Sequence, residues 1–412
     1  MRARAPYLED LLARLDPGGV LSCACGRPHR IAAGDVIVES DALARSAALL
    51  RRRHGATPTV WVLSDENTEA AAGERWKGMV GGAIRSRVLP ATPKPVPSLE
   101  LAAELAGDAK RAAPVLVVGV GGGVISDLVK KVSLDLGLPG WCIATAPSVD
   151  AYSSATASLR VARYHDSIPA RASEVIVCDL EVLGRAPRVL VLAGLGDLLA
   201  KFVAYLDWNA ARLVTGEHFC PTVADLALGA ARKAIDAARE LETDPTAAAA
   251  SLTDAILVSG FAMQAMGNSR PAASAEHTIA HFWETTHAAG NHAYELHGIL
   301  VGAATRLVLA GYQAFYRRLP DIEPDVARRS IQHASEPSWD ARLEDAMQPF
   351  REKIANETRG RALDGAALAG RLEAFSREKA RLVSLAEPLL AELSRAVALL
   401  DVLGFPFSLD EL

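Results

Sequence analysis

The sequence has few aromatic residues, few cysteines and no excess of basic residues. Phe, Trp and Tyr make up only 5% of its 412 residues, while Ala and Leu dominate, which favours packed helices and parallel strands over an antiparallel sandwich. The net charge of -5 argues against a nucleic-acid partner, because phosphate binding requires clustered surplus Lys and Arg. No run of about 18 uncharged apolar residues occurs, which argues against a membrane span. The first residues lack the apolar core of a secretion signal, so we expect a cytoplasmic protein.

The five cysteines are odd in number and scattered, which favours reduced thiols over a disulfide framework. Only the segment Cys23-Ala24-Cys25-Gly26-Arg27-Pro28-His29 brings potential metal ligands close together in the sequence. This segment could be half of a zinc site, but no second pair of ligands lies nearby. The simpler interpretation is a tight turn in the N-terminal segment.

Length and residue pattern predict two domains, because single cores stop growing at about 250–300 residues. Residues 1–186 contain short β-branched runs separated by helical segments, a pattern typical of a parallel sheet with right-handed crossovers. The predicted strands comprise residues 36–38, 60–63, 115–118, 142–144 and 175–177. Residues 187–412 lack such runs and are rich in Ala, Leu, Arg and Glu, which predicts an all-helical domain. We expect the active site in the cleft between the two domains.

A glycine-rich stretch follows the third predicted strand and precedes a helical pattern. It is Gly119-Val120-Gly121-Gly122-Gly123-Val124-Ile125-Ser126-Asp127. Glycines between a strand and a helix let the backbone approach a diphosphate, whose charge is then met by the helix N-terminus. Val124 stands where the standard dinucleotide fingerprint has its third glycine, so a merely tight strand-to-helix turn is the alternative.

Two further polar segments follow predicted strands. Asp65 follows the second strand and could accept hydrogen bonds from an adenosine ribose, or it could be an ordinary turn residue. Thr145-Ala146-Pro147-Ser148-Val149-Asp150 follows the fourth strand and should lie on the same sheet edge as the glycines, with Ser154 extending its polar surface. The alternative is a turn in which Ser148 and Asp150 cap their own backbone.

Three distant segments each contain a side chain able to bind a divalent metal. They are Gly194-Leu195-Gly196-Asp197, Glu276-His277-Thr278-Ile279-Ala280-His281 and Leu296-His297-Gly298. One carboxylate and two imidazoles would leave part of the coordination shell open, as a catalytic site requires. Asp197 follows a glycine-flanked turn at the predicted start of a helix, where by itself it is an ordinary N-cap.

His277 and His281 are four residues apart, so they lie on one face of a predicted helix. This spacing resembles a metalloprotease pair, but the glutamate next to the first histidine is missing, which argues against protease chemistry. Each histidine alone could be a buried structural residue. Five of the ten histidines fall within residues 277–297, which favours a shared site, although we expect His287 and His292 to be structural or exposed.

Taken together, the order of these motifs resembles the iron-containing alcohol dehydrogenase and dehydroquinate synthase superfamily. The closer similarity is to the glycerol-1-phosphate dehydrogenases, especially their bacterial branch. Besides the segments above, the resemblance includes Ala193-Gly194-Leu195-Gly196-Asp197-Leu198-Leu199-Ala200-Lys201 and Gly267-Asn268-Ser269-Arg270-Pro271. It covers roughly residues 20–315, and the last hundred residues carry little of it.

The resemblance implies a role for each of these residues. Asp197, His277 and His297 would hold one divalent metal, zinc or nickel, with iron in relatives, while His281 would stay free beside the substrate. Asp150, Asp197 and His281 would contact the substrate and form the catalytic set. With Asp65 added from the strand pattern, the residues expected to bind NAD(H) or NADP(H) are Asp65, Gly121, Gly122, Gly123, Val124, Ile125, Ser126, Asp127, Thr145, Ala146, Pro147, Ser148 and Ser154.

The implied reaction is the reversible reduction of the C2 ketone of dihydroxyacetone phosphate by NAD(P)H, which yields sn-glycerol 1-phosphate. The metal would polarise the ketone, and a proton would arrive through His281 or a bound water. A phosphorylated substrate needs a cation or backbone donors besides the metal, and Arg270 is the candidate; the alternative is a surface arginine at a helix entry. We also expect a homo-oligomer, a dimer or larger.

Three residues near the expected substrate depart from the family pattern. Ala151 follows Asp150 where relatives usually have glycine, Ala273-Ser274 replaces a serine-glycine pair, and Ile299 stands where many members have glutamate. Each change alters shape near the substrate, while none removes a metal ligand.

Three other functions are compatible with the same fold. A dehydroquinate synthase-like lyase or cyclase usually has Glu at the position of Asp197 and needs several Lys and Arg residues, so Asp197 and the Asn268-Ser269-Arg270-Pro271 segment favour the dehydrogenase. A polyol dehydrogenase acting on an unphosphorylated, glycerol-type substrate is a further alternative. The retained ligands and glycine loop argue against an inactive scaffold.

Overall fold

We analysed a computed structural model, which describes residues 5–32, 34–162, 164–289, 296–323, 329 and 365–407. Its first half contains six parallel strands: β3 (Asp35–Glu39), β4 (Thr59–Asp65), β5 (Ala83–Leu89), β6 (Leu116–Gly121), β7 (Gly140–Ala144) and β10 (Val175–Asp179). They form one sheet in the order β3-β10-β7-β6-β4-β5. Strands β6, β7 and β10 are buried at every residue, as expected for a parallel sheet covered on both faces.

The sequence predicted five of these six strands and missed β5. That strand lies at the edge of the sheet, and most of its residues, including Arg85 and Arg87, are exposed. Because one face and one edge meet solvent, β5 lacks the continuous apolar run that identified the buried strands.

Helices cover both faces of the sheet. They are α2 (Ala42–His54), the short α3 (Glu66–Thr68), α4 (Glu74–Met79), α5 (Leu99–Ala112), α6 (Gly123–Leu136) and α7 (Leu180–Leu183). One apolar cluster includes Leu43, Trp76 and Val118, and another includes Leu105, Val117 and Leu128. Since Val117 and Val118 are neighbours on β6, they point to opposite faces and place one cluster on each side of the sheet.

Two antiparallel hairpins were not predicted. The first pairs β1 (Val20–Leu21) with β2 (His29–Arg30), and the second pairs β8 (Thr156–Val161) with β9 (Tyr164–Pro169). The first has strands too short to give a pattern, and β9 is too polar to be recognised as a strand. The first hairpin carries His29 on β2, and the second carries His165 on β9.

The second half of the described chain is helical, as predicted. Its long helices are α8 (Arg188–Thr215), α9 (Pro221–Glu240), α10 (Pro245–Met266), α11 (Ala275–Ala289), α12 (His297–Arg318) and α13 (Gly365–Val402). The predicted fold class, a parallel α/β half followed by a helical half, is therefore confirmed. Helix α1 (Pro6–Ala13) also packs on this half, because Asp254 of α10 accepts hydrogen bonds from the backbone N–H groups of Tyr7 and Leu8. The domain boundary between residues 186 and 187 remains a prediction.

Three helical stretches in the described chain are long and apolar enough, by length and composition alone, to cross a membrane. They are Arg188–Thr215, Pro245–Met266 and His297–Asp321, and 83%, 83% and 56% of their most apolar windows are buried inside the structure. A helix that is apolar on all sides is expected where other helices surround it.

The predicted start of the helix that carries Asp197 was wrong. Helix α8 begins at Arg188, so Asp197 lies inside the helix and is not an N-cap. The nearby glycines do not form a turn; they allow close packing, since a Cβ on Gly194 would lie 1.9 Å from the carbonyl oxygen of Pro147. A Cβ on Gly196 would lie 2.3 Å from the carbonyl oxygen of Gly298. The two glycines thus bring α8 against the loop after β7 and the start of α12.

Candidate active site

A cavity of about 490 Å³ lies at the carboxyl edge of the sheet, where the helical half meets it. Its walls include Gly122 and Thr145, which follow β6 and β7, and Asp197, His277 and His297 from the helices. This volume falls within the range of small-molecule binding sites. In parallel α/β folds, ligands bind at this edge of the sheet.

The glycine loop forms the start of α6 on one wall of the cavity. Gly122 is the N-cap of α6, and both Gly122 and Gly123 line the cavity. Gly121 has a packing role instead, since a Cβ there would lie 2.6 Å from Cγ1 of Ile125. Because Gly122 has no side chain to cap the helix, the first N–H groups of α6 can bind an anion.

Most residues expected to bind the nucleotide line this cavity. The ones that do are Asp65, Gly122, Gly123, Val124, Ile125, Asp127, Thr145, Ala146, Ser148 and Ser154. Gly121, Ser126 and Pro147 are not among the lining residues in the described structure. Ser126 is buried, and the carbonyl oxygen of Pro147 packs against Gly194.

Asp65 and Asp127 also have structural partners. Oδ1 of Asp65 accepts a hydrogen bond from the backbone N–H of Thr68 at 2.9 Å, and the backbone N–H of Asp65 donates to the Thr68 hydroxyl at 3.0 Å. Asp65 therefore caps α3, which agrees with the turn alternative, while lining the cavity. Asp127 forms a buried ion pair with Lys130 at 2.7 Å.

Asp197, His277 and His297 converge at the opposite wall. Each offers a ligand atom, and these atoms all lie within 4.8 Å of one another. Nε2 of His277 is 3.7 Å from Oδ1 of Asp197, and the imidazole centroids of His277 and His297 are 5.4 Å apart. Three different helices, α8, α11 and α12, supply the three residues, so only the folded chain assembles the group.

Two buried glutamates orient the histidines. Oε1 of Glu276 lies 2.8 Å from Nδ1 of His277. Glu284 contacts Nδ1 of His297 through Oε1 at 2.8 Å and Nδ1 of His281 through Oε2 at 2.7 Å. A carboxylate on Nδ1 fixes the ring and directs Nε2 away from it, as in many histidine metal sites. Sequence reasoning quoted Glu276 within a motif without assigning it a role and missed Glu284, although Glu284 is one helical turn after His281.

These contacts set the charge of the cluster. Burial opposes protonation of His297, but Glu284 and then Asp197 raise its pKa to about 9. Burial lowers the pKa of His277, although Glu276 opposes this shift. Burial would raise the pKa of Asp197, but Lys201, His297 and His277 together lower it to about 2. Asp197 is thus a carboxylate at neutral pH and can bind a cation.

Lys201 is a further buried residue of the site. Its Nζ lies 3.0 Å from Oδ1 of Asp197 and 2.9 Å from Oδ2 of Asp150. Burial disfavours the charge of Lys201, but these two carboxylates raise its pKa above the usual value. Sequence reasoning quoted Lys201 within a motif without assigning it a role, although its position four residues after Asp197 could have indicated the contact.

The carboxylates of the cluster outnumber its charged cations at neutral pH. Asp150, Asp197, Glu276 and Glu284 are all buried, while the cations are Lys201, which contacts two of them, and His297, whose pKa is raised. Burying uncompensated negative charge is costly. A bound cation would therefore be stabilised here.

His281 lines the cavity beside this cluster. Its ring lies 5.3 Å from that of His297 between centroids and stacks on His165 of β9 at 6.4 Å. His165 was not predicted as part of the site. The expectations for His287 and His292 fall on side chains outside the described set.

Arg270 lies outside the cavity as the structure describes it. Its Nε donates to Oε1 of Glu217 at 2.8 Å, and other guanidinium nitrogens contact the backbone oxygen of Asp207 and the hydroxyl of Ser274. This geometry agrees with the alternative of a structural arginine before a helix.

Two of the departures from the family pattern, Ala151 and Ala273, do line the cavity, while Ile299 is buried.

Comparison with known proteins places this site in a family. Residues 37–187 match the family model described as iron-containing alcohol dehydrogenase. A glycerol-1-phosphate dehydrogenase [NAD(P)+] of Bacillus licheniformis is 30% identical over 332 residues, which cover 75% of this chain and 78% of that protein. The chain belongs to the glycerol-1-phosphate dehydrogenase family of iron-containing alcohol dehydrogenases. The resemblance inferred from the motifs is thereby confirmed.

Further comparisons match a smaller part of the chain or its fold alone. A glycerol-1-phosphate dehydrogenase [NAD(P)+] of Geobacillus thermodenitrificans is 31% identical over 250 residues, but the match spans only 60% of each chain. Among solved structures, a probable glycerol dehydrogenase of Sinorhizobium meliloti has a TM-score of 0.55 at 19% identity, covering 89% of this chain and 98% of that one. At that identity the similarity supports the fold alone.

Proposed function

We propose that the protein catalyses the reversible, NAD(P)H-linked and metal-dependent reduction of dihydroxyacetone phosphate to sn-glycerol 1-phosphate, a phospholipid precursor. The names of its relatives support the substrate and the cofactor. The structural observation that carries the proposal is that the Asp197, His277 and His297 group and the open start of α6 at Gly122 line one cavity. A metal and a nucleotide can therefore reach the same substrate.

The donor set suits a divalent cation. Asp197 supplies a carboxylate oxygen, and His277 and His297 supply Nε2 because their Nδ1 atoms contact glutamates. His281, Glu284 and His297 form an overlapping group, but both oxygens of Glu284 already contact imidazole Nδ1 atoms, so the first set fits better. When bound, the ion would act as a Lewis acid on the substrate carbonyl. Zinc, nickel and iron all accept such ligands.

The other wall supplies the nucleotide site. The N-terminal N–H groups of α6 would bind the diphosphate, and Gly122 and Gly123 leave room for its approach. Thr145 and Ser148, which follow β7, would lie along the nucleotide towards the metal group. Bound NAD(P)H supplies the hydride, so the protein's task is to hold the nicotinamide against the substrate carbon.

Two side chains are assigned to the substrate hydroxyls and the proton. The described contacts of the Asp150 carboxylate, with Ser259 at 2.7 Å and Lys201 at 2.9 Å, both use Oδ2, so Oδ1 can accept a hydrogen bond from the substrate. His281 is held through Nδ1 by Glu284, and its Nε2 can deliver a proton to the alkoxide oxygen, directly or through water. Charge stabilisation at that oxygen lowers the barrier to reduction.

The phosphate specificity is supported by the relatives and not by Arg270, whose guanidinium is bound to Glu217. A substrate series tests it directly. We expect purified, metal-loaded protein to oxidise NADH or NADPH with dihydroxyacetone phosphate, and chiral analysis to identify sn-glycerol 1-phosphate as the product. Reduction of dihydroxyacetone by NAD(P)H or oxidation of glycerol by NAD(P)+, together with no turnover of the phosphate, would support the polyol dehydrogenase and overturn the substrate assignment.

Arg270→Ala serves as the matched control for this series. Because Arg270 lies outside the cavity, the KM for dihydroxyacetone phosphate should change little. A large rise in KM that is specific to the phosphorylated substrate would instead restore Arg270 as its ligand.

A cytoplasmic location and a homo-oligomer of two or more subunits remain part of the proposal. Light scattering after size-exclusion chromatography tests the oligomer.

A further inference from the structure

A second group of potential metal ligands lies away from the cavity. Cys23, Cys25 and His29 belong to the β1–β2 hairpin region, and Cys220 directly precedes α9. Sγ of Cys23 lies 3.0 Å from Sγ of Cys25 and 3.6 Å from Sγ of Cys220, while Sγ of Cys25 lies 3.0 Å from Nε2 of His29. All four ligand atoms lie within 4.8 Å of one another.

The sequence showed only three of these four ligands together. Cys220 is separated from Cys23 by 197 residues, so the absence of a nearby second pair was no evidence against a complete site. The fold brings Cys220 to the hairpin, because the start of α9 packs beside it. The interpretation of this segment as merely a tight turn is therefore incomplete.

We propose that Cys23, Cys25, His29 and Cys220 bind a structural zinc ion. Three sulfurs and one imidazole are a common donor set for structural zinc, whose ligand bonds of about 2.0–2.3 Å in a tetrahedron place the ligand atoms about 3.3–3.8 Å apart. The observed spacings of 3.0 and 3.6 Å need only small side-chain movements to reach this geometry. With four protein ligands the coordination shell is closed, so the ion has no open position for a substrate.

The surroundings of His29 support this assignment. Its ring is buried, with 2% exposure, and Nδ1 lies 2.8 Å from the carbonyl oxygen of Ala265. Because a carbonyl only accepts, Nδ1 carries the proton and the lone pair of Nε2 points to the sulfurs. A disulfide would use two of the three sulfurs and would not explain why the lone pair of His29 Nε2 points to them.

The choice of zinc follows from the ligands and their setting. Thiolates and imidazole favour zinc over magnesium or calcium, which prefer oxygen ligands. Cys220 is fully buried, so the ion would be shielded from solvent on the side of α9. None of the four ligands is among the residues that line the described cavity, which makes this site separate from the Asp197 group.

The ion would fasten the hairpin to Cys220 at the start of α9, and the hairpin in turn contacts the end of α10. His29 contacts Ala265 in the last turn of that helix, and the backbone N–H of Ala32 donates to Oε1 of Gln264 at 2.9 Å. Nε2 of Gln264 in turn donates to the carbonyl oxygen of Ser153, in the segment that begins with Asp150. Zinc would thereby support one wall of the cavity without contacting the proposed metal ligands Asp197, His277 and His297.

Cobalt substitution of the full-length protein tests the proposal, because thiolate ligands give Co²⁺ a charge-transfer band in the near ultraviolet. The Asp197 group contains no sulfur and cannot produce this band. We expect the band in the wild-type protein, a fall of about a third or more in its intensity per cobalt in Cys220→Ser because one of three thiolates is lost, and an unchanged intensity in His297→Ala and in Cys142→Ala, a buried cysteine outside the group. Absence of the band in the wild type, or an undiminished band in Cys220→Ser, would overturn the proposal.

A measurement on the wild-type protein covers the case in which Cys220→Ser does not fold. Titration of the thiols with a mercurial reagent should release about one zinc ion per chain, detected with a chromophoric chelator, as the three cysteine ligands react. Release of no zinc would contradict the site. A disulfide between two of Cys23, Cys25 and Cys220, located by peptide mapping without reduction, would do the same. Neither readout depends on the dehydrogenase activity, so the two proposals can fail separately.

Discussion

Nζ of Lys201 lies 3.0 Å from Oδ1 of Asp197, one turn earlier on the same helix, and 2.9 Å from Oδ2 of Asp150. The backbone N–H of Asp150 also donates to Oδ2 of Asp197 at 3.1 Å. One buried ammonium therefore joins the proposed metal ligand to the proposed substrate ligand. We infer that Lys201 positions both carboxylates rather than reacting itself.

Replacing this lysine tests that inference. Lys201→Met would leave Asp150 and Asp197 buried without their shared cation, and breaking a buried ion pair in this way costs about 3–5 kcal/mol. Urea unfolding should show a loss of this size. Lys131→Met is the matched control, because Lys131 forms a pair of the same helical spacing with Asp135 near the surface, where such pairs contribute about 0–1 kcal/mol. Equal losses in the two variants would contradict the role of Lys201.

Glu284→Gln tests the orientation of the histidines. The amide cannot hold two Nδ1–H groups as the carboxylate does, and loss of such a partner typically weakens metal binding about 10- to 100-fold. The pKa of His297 should also fall from about 9, since the charge of Glu284 raises it. Chelator competition measures the affinity, and Glu217→Gln, outside the cavity, is the control. An unchanged metal affinity would show that Glu284 does not support the site.

The glycine at the N-cap of α6 provides a test of the nucleotide site. A Cβ on Gly122 would meet only Ser148 Oγ, at 3.8 Å, so Gly122→Ala should fold normally. The added methyl group would occupy the space into which the diphosphate approaches, and we expect NADH affinity to fall about tenfold or more, which corresponds to about 1.4 kcal/mol. Gly107→Ala, in α5 and with its nearest contact also at 3.8 Å, should leave NADH fluorescence titrations unchanged.

His165 makes stability depend on pH. Burial lowers its pKa to about 4, partly opposed by Glu284, whereas an unfolded histidine titrates near 6.5. Between these values the unfolded chain binds more protons than the folded protein, so stability falls as the pH is lowered through this window, by up to about 3 kcal/mol for this residue. His165→Phe should lose part of this fall. Identical Tm profiles between pH 7 and 4 in both proteins would rule out the contribution.

The strands and the grouping of Asp197, His277 and His297 could be predicted because their signals are local or chemically specific. Buried strands have continuous β-branched runs, whereas β5 at the edge does not. The predicted start of α8 was wrong because of Gly194 and Gly196. In a sequence, glycines that allow close packing resemble glycines of a turn. Lys201 and Glu284 lie at helical spacing from recognised residues and could have been found. Cys220 could not, because only tertiary structure brings it to Cys23.

The central claim is that Asp197, His277 and His297 hold the metal required for reduction of dihydroxyacetone phosphate. Its most direct test is the rate of NAD(P)H oxidation with this substrate as zinc or nickel is added back to chelator-treated protein, compared with His277→Ala. We expect activity in the wild type to appear with the added metal and the variant to lack it over the same range. Full activity in the chelated wild type, or metal-restored activity in His277→Ala at wild-type level, would contradict the account.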